Sequence, residues 1–222
     1  MNNLLNEETY FVKKRETELK RIEKFEKALS ELEPSNIKGV RIGKIHLANL
    51  YLNCVRLTYS IEKSISNLFP YYIKFLNYYK DVCTSGDSFY DIIDILSIGI
   101  LLKDKSSQFI SYLKEIMMKY NSDDGMIVFL MDNLENKNTI RKESVMDYYN
   151  NLFNCENKEK ILMDELEVWY DKHRDAYWYN SHKSNSNTYC GYWCFEIAAL
   201  AKIFNVDDEE LCKNQYYPCD IY

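Results

Sequence analysis

Trp193-Cys194-Phe195-Glu196-Ile197-Ala198-Ala199-Leu200-Ala201-Lys202-Ile203-Phe204 is apolar on nearly every side of a helical projection and shows no period of two. Such a run predicts a helix in the middle of a structure, neither a half-wet surface helix nor a strand. It lies within an aromatic-rich stretch from Tyr170 to Asp220. All three tryptophans and two of the three histidines fall between Trp169 and Trp193. Rings of that size bury much area, and their N–H and O–H groups need partners once inside.

Reading outward, the rest of the chain is helical too. A long charged helix over residues 4–33 carries Leu19, Ile22, Phe25, Leu29 and Leu32 at steps of three and four, and Pro34 stops it. Leu47, Leu50, Cys54, Leu57, Ile61, Ile65 and Leu68 stripe a second helix, and Pro70 opens a third with Tyr72, Ile73, Leu76 and Tyr79. Residues 89–103 are apolar on most sides. Further helices are expected over 106–121, 124–135, 141–154 (with Val145, Tyr149, Leu152 and Phe153) and 157–175, with a short last one starting at Asp207. Three prolines and six glycines in 222 residues are few breakers, as long helices require. The expectation is an all-α bundle of about nine to ten helices without a sheet. Its two halves, residues 1–135 and 136–222, pack as one globular unit.

Composition narrows the class. Met1 leads into Asn2-Asn3-Leu4, which is no secretory leader, and the apolar run Ile92 to Leu102 is broken by Asp94 and too short for a bilayer. Seven cysteines, an odd number set mostly in apolar helical patterns, read as buried reduced thiols of a cytosolic protein and not as a disulfide framework. Charge is uneven. Residues 34–80 hold seven basic side chains against one acidic, whereas residues 161–222 hold five against eleven. The scattered basic charges of 34–80 read as a solvated face. The acidic remainder repels nucleic acid and favours basic partners.

A search for chemistry finds little. The segment Gly39 to Lys44 has three residues between its glycines and Ile45 after the lysine, so it is no phosphate loop. Cys190, Cys194 and His182 lack the spacing of a zinc site, and no metal or cofactor is expected. Glu196, set between Phe195 and Ile197, is the one provocative carboxylate. It could act as a general acid or base with His173 or His182, or be held in a structural role by Arg174 or by tyrosine hydroxyls. On the helix over 157–175, Leu162, Leu166, Trp169, Tyr170 and His173 form the buried stripe. Asp164, Glu167, Asp171 and Asp175 form a separate face. That face is either the solvated side of an acidic protein or a docking ridge for a basic partner. Asp207, Asp208, Glu209 and Glu210 make a second acidic cluster, in which Asp207 and Glu210 have capping-box spacing.

The ordered series Trp169-Tyr170, Arg174-Asp175-Ala176-Tyr177-Trp178-Tyr179, Ser181-His182-Lys183-Ser184, Tyr189-x-Gly191-Tyr192-Trp193-x-Phe195-Glu196-x-Ala198-Ala199, Lys202, Asp207-Asp208 and Tyr216-Tyr217-Pro218-x-Asp220 resembles the C-terminal domain of the PoNi immunity proteins. The charged first helix, Tyr59-Ser60 and the apolar run Ile92 to Leu102 are similar to that family's N-terminal domain. The chain departs from the family's pattern at Ile61, where a glycine is expected, and at Cys190 and Cys194, where Tyr and Ser are expected.

The resemblance implies a cytoplasmic, non-enzymatic, all-helical inhibitor that binds one PoNe-type DNase toxin, with no nucleic-acid or membrane partner. The aromatic motif residues, with Arg174, His182, Gly191, Glu196, Tyr217 and Pro218, are then fold determinants. The acidic residues named above become the candidate toxin-binding surface. Two other readings stay open: a hydrolase using Glu196 with His173 or His182, and a helical scaffold without a toxin partner.

Overall fold

The computed structural model describes residues 8–138, 140–184 and 186–220. Among them are nine α-helices, four short 3-10 turns and no strand. The helices are α1 (Glu8–Ser30), α2 (Ile37–Glu62), α3 (Phe69–Val82), α4 (Phe89–Leu101), α5 (Ile110–Tyr120), α6 (Gly125–Glu135), α7 (Asp147–Leu152), α8 (Lys158–Lys172) and α9 (Phe195–Phe204). The protein is all-α, as its periodicity requires. The part of the first expected helix that falls on residues 4–7 lies outside the described residues.

Helices α1, α2 and α3 pack in chain order, and α5 lies on α3. Helix α4, with eight of its thirteen residues buried, lies between α6 and α9, while α9 also touches α8. A helix that is apolar all round must be enclosed, and α4 and α9 are the two that are. One apolar cluster runs from Phe11 and Ile22 through Leu57, Tyr72, Ile92 and Leu130 to Trp169, Phe195 and Leu200, so the two halves share a core.

With glycine scarce, asparagine ends three of the helices. Asn121, Asn136 and Asn205 adopt the left-handed conformation after α5, α6 and α9. Asn is the non-glycine residue that visits this region most readily. At the starts, Asn36 accepts from Gly39 N, Asn157 from Lys160 N, and Asp124 from Met126 N and Ile127 N. The segment Gly39 to Lys44 is therefore the opening of α2.

Several expectations are corrected. Helix α2 ends at Glu62, with Lys63 in the left-handed conformation, so Ile65 and Leu68 lie beyond it. Residues 141–154 are not one helix, since only Asp147–Leu152 is helical. Ser144 Oγ and Val145 N donate to Asp124, while Asn150 bonds both Ser144 N and Ser144 O. Polar side chains thus capture the backbone that a helix would need, and Val145, expected on the apolar stripe, is 75% exposed. Helix α8 ends at Lys172, not at residue 175. The His173 ring donates from Nδ1 to Trp169 O at 2.7 Å, taking the carbonyl its own backbone N–H would have used.

Asp207 does not open an α-helix. Its carboxylate accepts from Glu209 N, and only a 3-10 turn, Leu211–Lys213, follows. Finally, Cys212 and Cys219 form a disulfide, with Cα atoms 5.2 Å apart, because the intervening chain doubles back through Tyr217 N to Asn214 O. Cys54, Cys83, Cys190 and Cys194 are buried free thiols, and Cys155 is half-buried.

Gly191 sits where α2 meets the C-terminal segment, at φ +97°, and a Cβ there would lie 2.2 Å from Ser60 Oγ. Gly191→Ala is expected to lower the unfolding free energy by about 2–4 kcal/mol, read from the urea midpoint at unchanged m-value. A loss under about 0.5 kcal/mol would mean the junction is not tight.

Candidate functional site

Asp164, Glu167 and Asp171 are exposed on one face of α8, as their spacing of three and four requires. Neither Asp164 nor Glu167 has an ion-pair partner among the described residues, whereas Asp171 pairs with Arg174 at 3.0 Å. Asp175, beyond the helix, accepts from Tyr90 OH at 3.2 Å at the start of α4 and continues the acidic row off the helix end. Asp207, Asp208, Glu209 and Glu210 are exposed too. Asp208 accepts from Tyr217 OH at 3.1 Å, and Glu210 pairs with Lys213. The turn that follows this second cluster packs on α8, the helix that bears the first.

Beneath this surface lies a polar constellation that the sequence reading passed over. Arg56 is buried in α2 and donates to Asp94 at 2.8 Å, to Asp91 at 3.2 Å and to Tyr177 OH at 2.9 Å. Tyr177 is 68% exposed as a residue, yet its hydroxyl end is tucked inward onto this guanidinium. Burial pushes the Asp94 carboxyl up, with Glu196 and Asp91 adding to the rise, although Arg56 pulls it down. One guanidinium faces several carboxyls, so not all of them are compensated. The signal was present: Arg56 interrupts the apolar run Cys54 to Leu57, and Asp94 interrupts that of α4. On α1, Lys14 and Glu18 are buried as an ion pair, and Lys14 Nζ also donates to Asn187 O at 2.6 Å. They fall on the inner face of α1 with Phe11 and Ile22.

Glu196 is 3% exposed. Its holder is not Arg174, whose side chain is 70% exposed, nor a tyrosine. Trp169 Nε1 donates to it, and His173 Nε2 stands 4.0 Å away. Because Trp169 O can only accept, His173 carries its proton on Nδ1 and turns a bare Nε2 towards Glu196. Burial pushes Glu196 up and His173 down, so both are favoured in their neutral forms. His182 is engaged elsewhere, its Nδ1 2.8 Å from Tyr192 OH. Trp169, Trp178, Tyr170, Tyr192 and Tyr216 stack around this pair with centroids 4.9–6.4 Å apart. A cavity of about 50 Å³ beside Arg56, Asp94 and Trp169 has room for a few waters and no more. No group of three or more His, Cys, Asp or Glu side chains among the described residues could hold a metal ion. No helix among them is long and apolar enough to cross a membrane.

The sequence model of the PoNe immunity proteins (PoNi), C-terminal, matches residues 122–221, and that of the PoNe immunity protein (PoNi), N-terminal, matches residues 2–112. The chain belongs to the PoNi family. The family is one of immunity to PoNe toxins. The crystal structure of protein PA2201 from Pseudomonas aeruginosa shares this PoNi chain's fold. The two are 11% identical with a TM-score of 0.68, over 93% of this chain and 84% of that one. None of the curated proteins compared with it matches.

Several residues of the PoNi C-terminal motif are interior. Trp169, Tyr192, Glu196 and Tyr217 are buried, and Trp193 Nε1 donates to Ser60 Oγ at 2.8 Å. Arg174 and the ring of Tyr177 lie outside.

Glu196→Gln keeps an acceptor for Trp169 and offers an N–H to His173 Nε2. Glutamate's ordinary value is 4.5 and burial raises it here, so the folded state holds the extra proton above pH 4.5. The stability this gives is complete below that value and is lost as pH rises through the raised one. The variant is therefore expected to match the wild type near pH 4.5 and to be the more stable by about 1–3 kcal/mol above neutrality. Equal pH profiles from denaturant titration would show that the carboxyl is not held neutral.

Proposed function

We propose that this PoNi chain protects its cell by binding a PoNe-type DNase toxin in the cytoplasm and blocking DNA cleavage by contact, without catalysis. The carrying observation is the row of exposed carboxylates Asp164, Glu167, Asp171 and Asp175 on a chain whose two halves both match the PoNi family. An enzyme that cuts DNA must present a basic surface to phosphates. A rigid acidic face suits that surface, adds electrostatic steering to the encounter and competes with the nucleic acid. Asp164 and Glu167 are the strongest contributors because no neighbouring cation neutralises them. Asp207 to Glu210 extend the field. The halves, residues 1–135 and 136–222, act together as one inhibitor, since α2 residues hold the C-terminal segment.

Burial of Glu196 behind Trp169 speaks against the hydrolase reading, because a general acid has to reach its substrate. The net charge of −6 speaks against nucleic acid as a direct partner.

The double reversal Asp164→Lys with Glu167→Lys is expected to weaken binding to the toxin encoded beside this chain by about tenfold at ~0.1 M salt, chiefly through a slower on-rate. The effect should shrink towards about 1 M salt, where the Debye length falls to about 3 Å. Unchanged affinity would remove the acidic ridge from the proposal. Failure of the wild-type chain to bind the toxin or to restore growth on co-expression would remove the proposal itself.

A further inference from the structure

A groove of about 640 Å³ opens beside the acidic row, between the start of α4, the loop before α7 and the turn after α8. Phe89, Tyr90, Val145, Met146 and Tyr177 wall it, and Asp175 stands on its rim. Three features mark it as more than a surface wrinkle. Val145 and Tyr177 are two of the most exposed large apolar side chains among the described residues, and both line it. Tyr177 is nonetheless immobilised, because its hydroxyl is bonded to Arg56 and lies 3.3 Å from Asp91. Tyr90 is likewise pinned, by its bond to Asp175. Aromatic faces that are open and already ordered cost little entropy to bury, which is how interface anchors are built.

The charge is equally specific. Asp175 is the carboxylate that lines the groove, whereas Asp91 in the first turn of α4 is paired with Arg56 and Asp171 with Arg174. The positive end of α4 that opens here is offset by Asp91. An apolar, tyrosine-faced slot under a carboxylate matches an arginine or lysine side chain. The stem lies along Val145 and Met146, the cation meets the tyrosine faces, and Asp175 takes the charge.

We infer that this groove receives a cationic side chain of the PoNe toxin and is the anchor point of the complex. The inference rests on the proposed function and places its centre of binding energy. The α8 ridge steers the encounter from beside it. The groove supplies the slow dissociation, since apolar anchors act on off-rates.

Val145 belongs to the groove and not to the ridge, and its side chain makes no structural contact that the fold needs, so Val145→Arg separates the two. Binding of the adjacent-gene toxin domain to the full chain is measured by surface kinetics, with thermal melts as the folding control. Val145→Arg is expected to leave the melting temperature unchanged and to raise the off-rate by about tenfold or more. Asp175→Lys is expected to weaken binding as well, and to be rescued by reversing one toxin Arg or Lys to Glu in a double-mutant cycle. If the wild type binds and Val145→Arg binds within about twofold of it, the groove is not the anchor, though the immunity reading stands. If no toxin lysine or arginine couples to Asp175, the occupant is not cationic and the inference falls. If sedimentation shows a dimer that Val145→Arg dissolves, a second copy fills the groove and the inference falls too. Absence of wild-type binding overturns both readings.

Discussion

A guanidinium placed inside a helical core imposes its needs on everything around it. Arg56 is buried in the C-terminal third of α2, where an unpaired charge would be ruinous. Its donors are taken by Asp91 and Asp94 of α4 and by the hydroxyl of Tyr177 from the turn after α8. Three separated pieces of chain are thereby fixed to one point. One turn further along α2, Tyr59 OH donates to Cys219 O, and Ser60 Oγ bonds Cys190 O and accepts from Trp193 Nε1. Gly191 has to lack a side chain for these strands of contact to coexist. The C-terminal motif is thus strapped to α2 by directional bonds as well as by apolar burial.

The legible part of the fold was the part governed by apolar periodicity. Helices α3 to α6 and α9 follow from runs such as Ile92, Ile93, Leu96 and Ile100, because a 3.6-residue stripe leaves few other ways to bury it. The illegible parts were decided by single polar side chains acting over distance. Asp124 reaches Ser144 and Val145 and denies α7 its first turns. The His173 ring replaces a backbone donor and ends α8. The pairing of Cys212 with Cys219 depends on a turn that residue spacing does not announce. For the same reason Glu196 was singled out correctly but given the wrong holder. Burial was readable from Phe195 and Ile197, whereas the partner came from α8, twenty-seven residues earlier. Arg56 and Asp94 each broke an apolar run, and only the ion pair between them shows the two breaks to be one feature.

Buried charge and neutral burial play opposite parts here. Around Arg56 the guanidinium keeps its charge, while burial pushes the Asp94 carboxyl up against its pull. Around Glu196 and His173 each group is favoured neutral, which avoids an ionic pair without the bidentate partners it would need. Both solutions leave the aromatic cluster rigid. Trp169 packs on His173 and stacks on Trp178 while donating to Glu196.

Rigidity of that kind has a consequence at the surface. An inhibitor that works by contact gains affinity when the groups it presents are ordered before the partner arrives, since less entropy is lost on binding. Tyr177 is ordered by Arg56, Tyr90 by Asp175, and α8 by Leu162, Leu166 and Trp169 beneath its acidic face. Arg56, Leu162, Leu166 and Trp169, which order this surface, are buried, and the exposed acids Asp164 and Glu167 are set on top of them. Substituting Asp164 or Glu167 changes the field without touching a packed atom, whereas substituting Arg56 strands the carboxylates of α4 and disturbs the platform. Much of the family's motif is interior, as Trp169, Tyr192, Glu196 and Tyr217 are, whereas Asp175, Tyr177, Asp207 and Asp208 of the same motif are exposed and belong to the proposed binding surface.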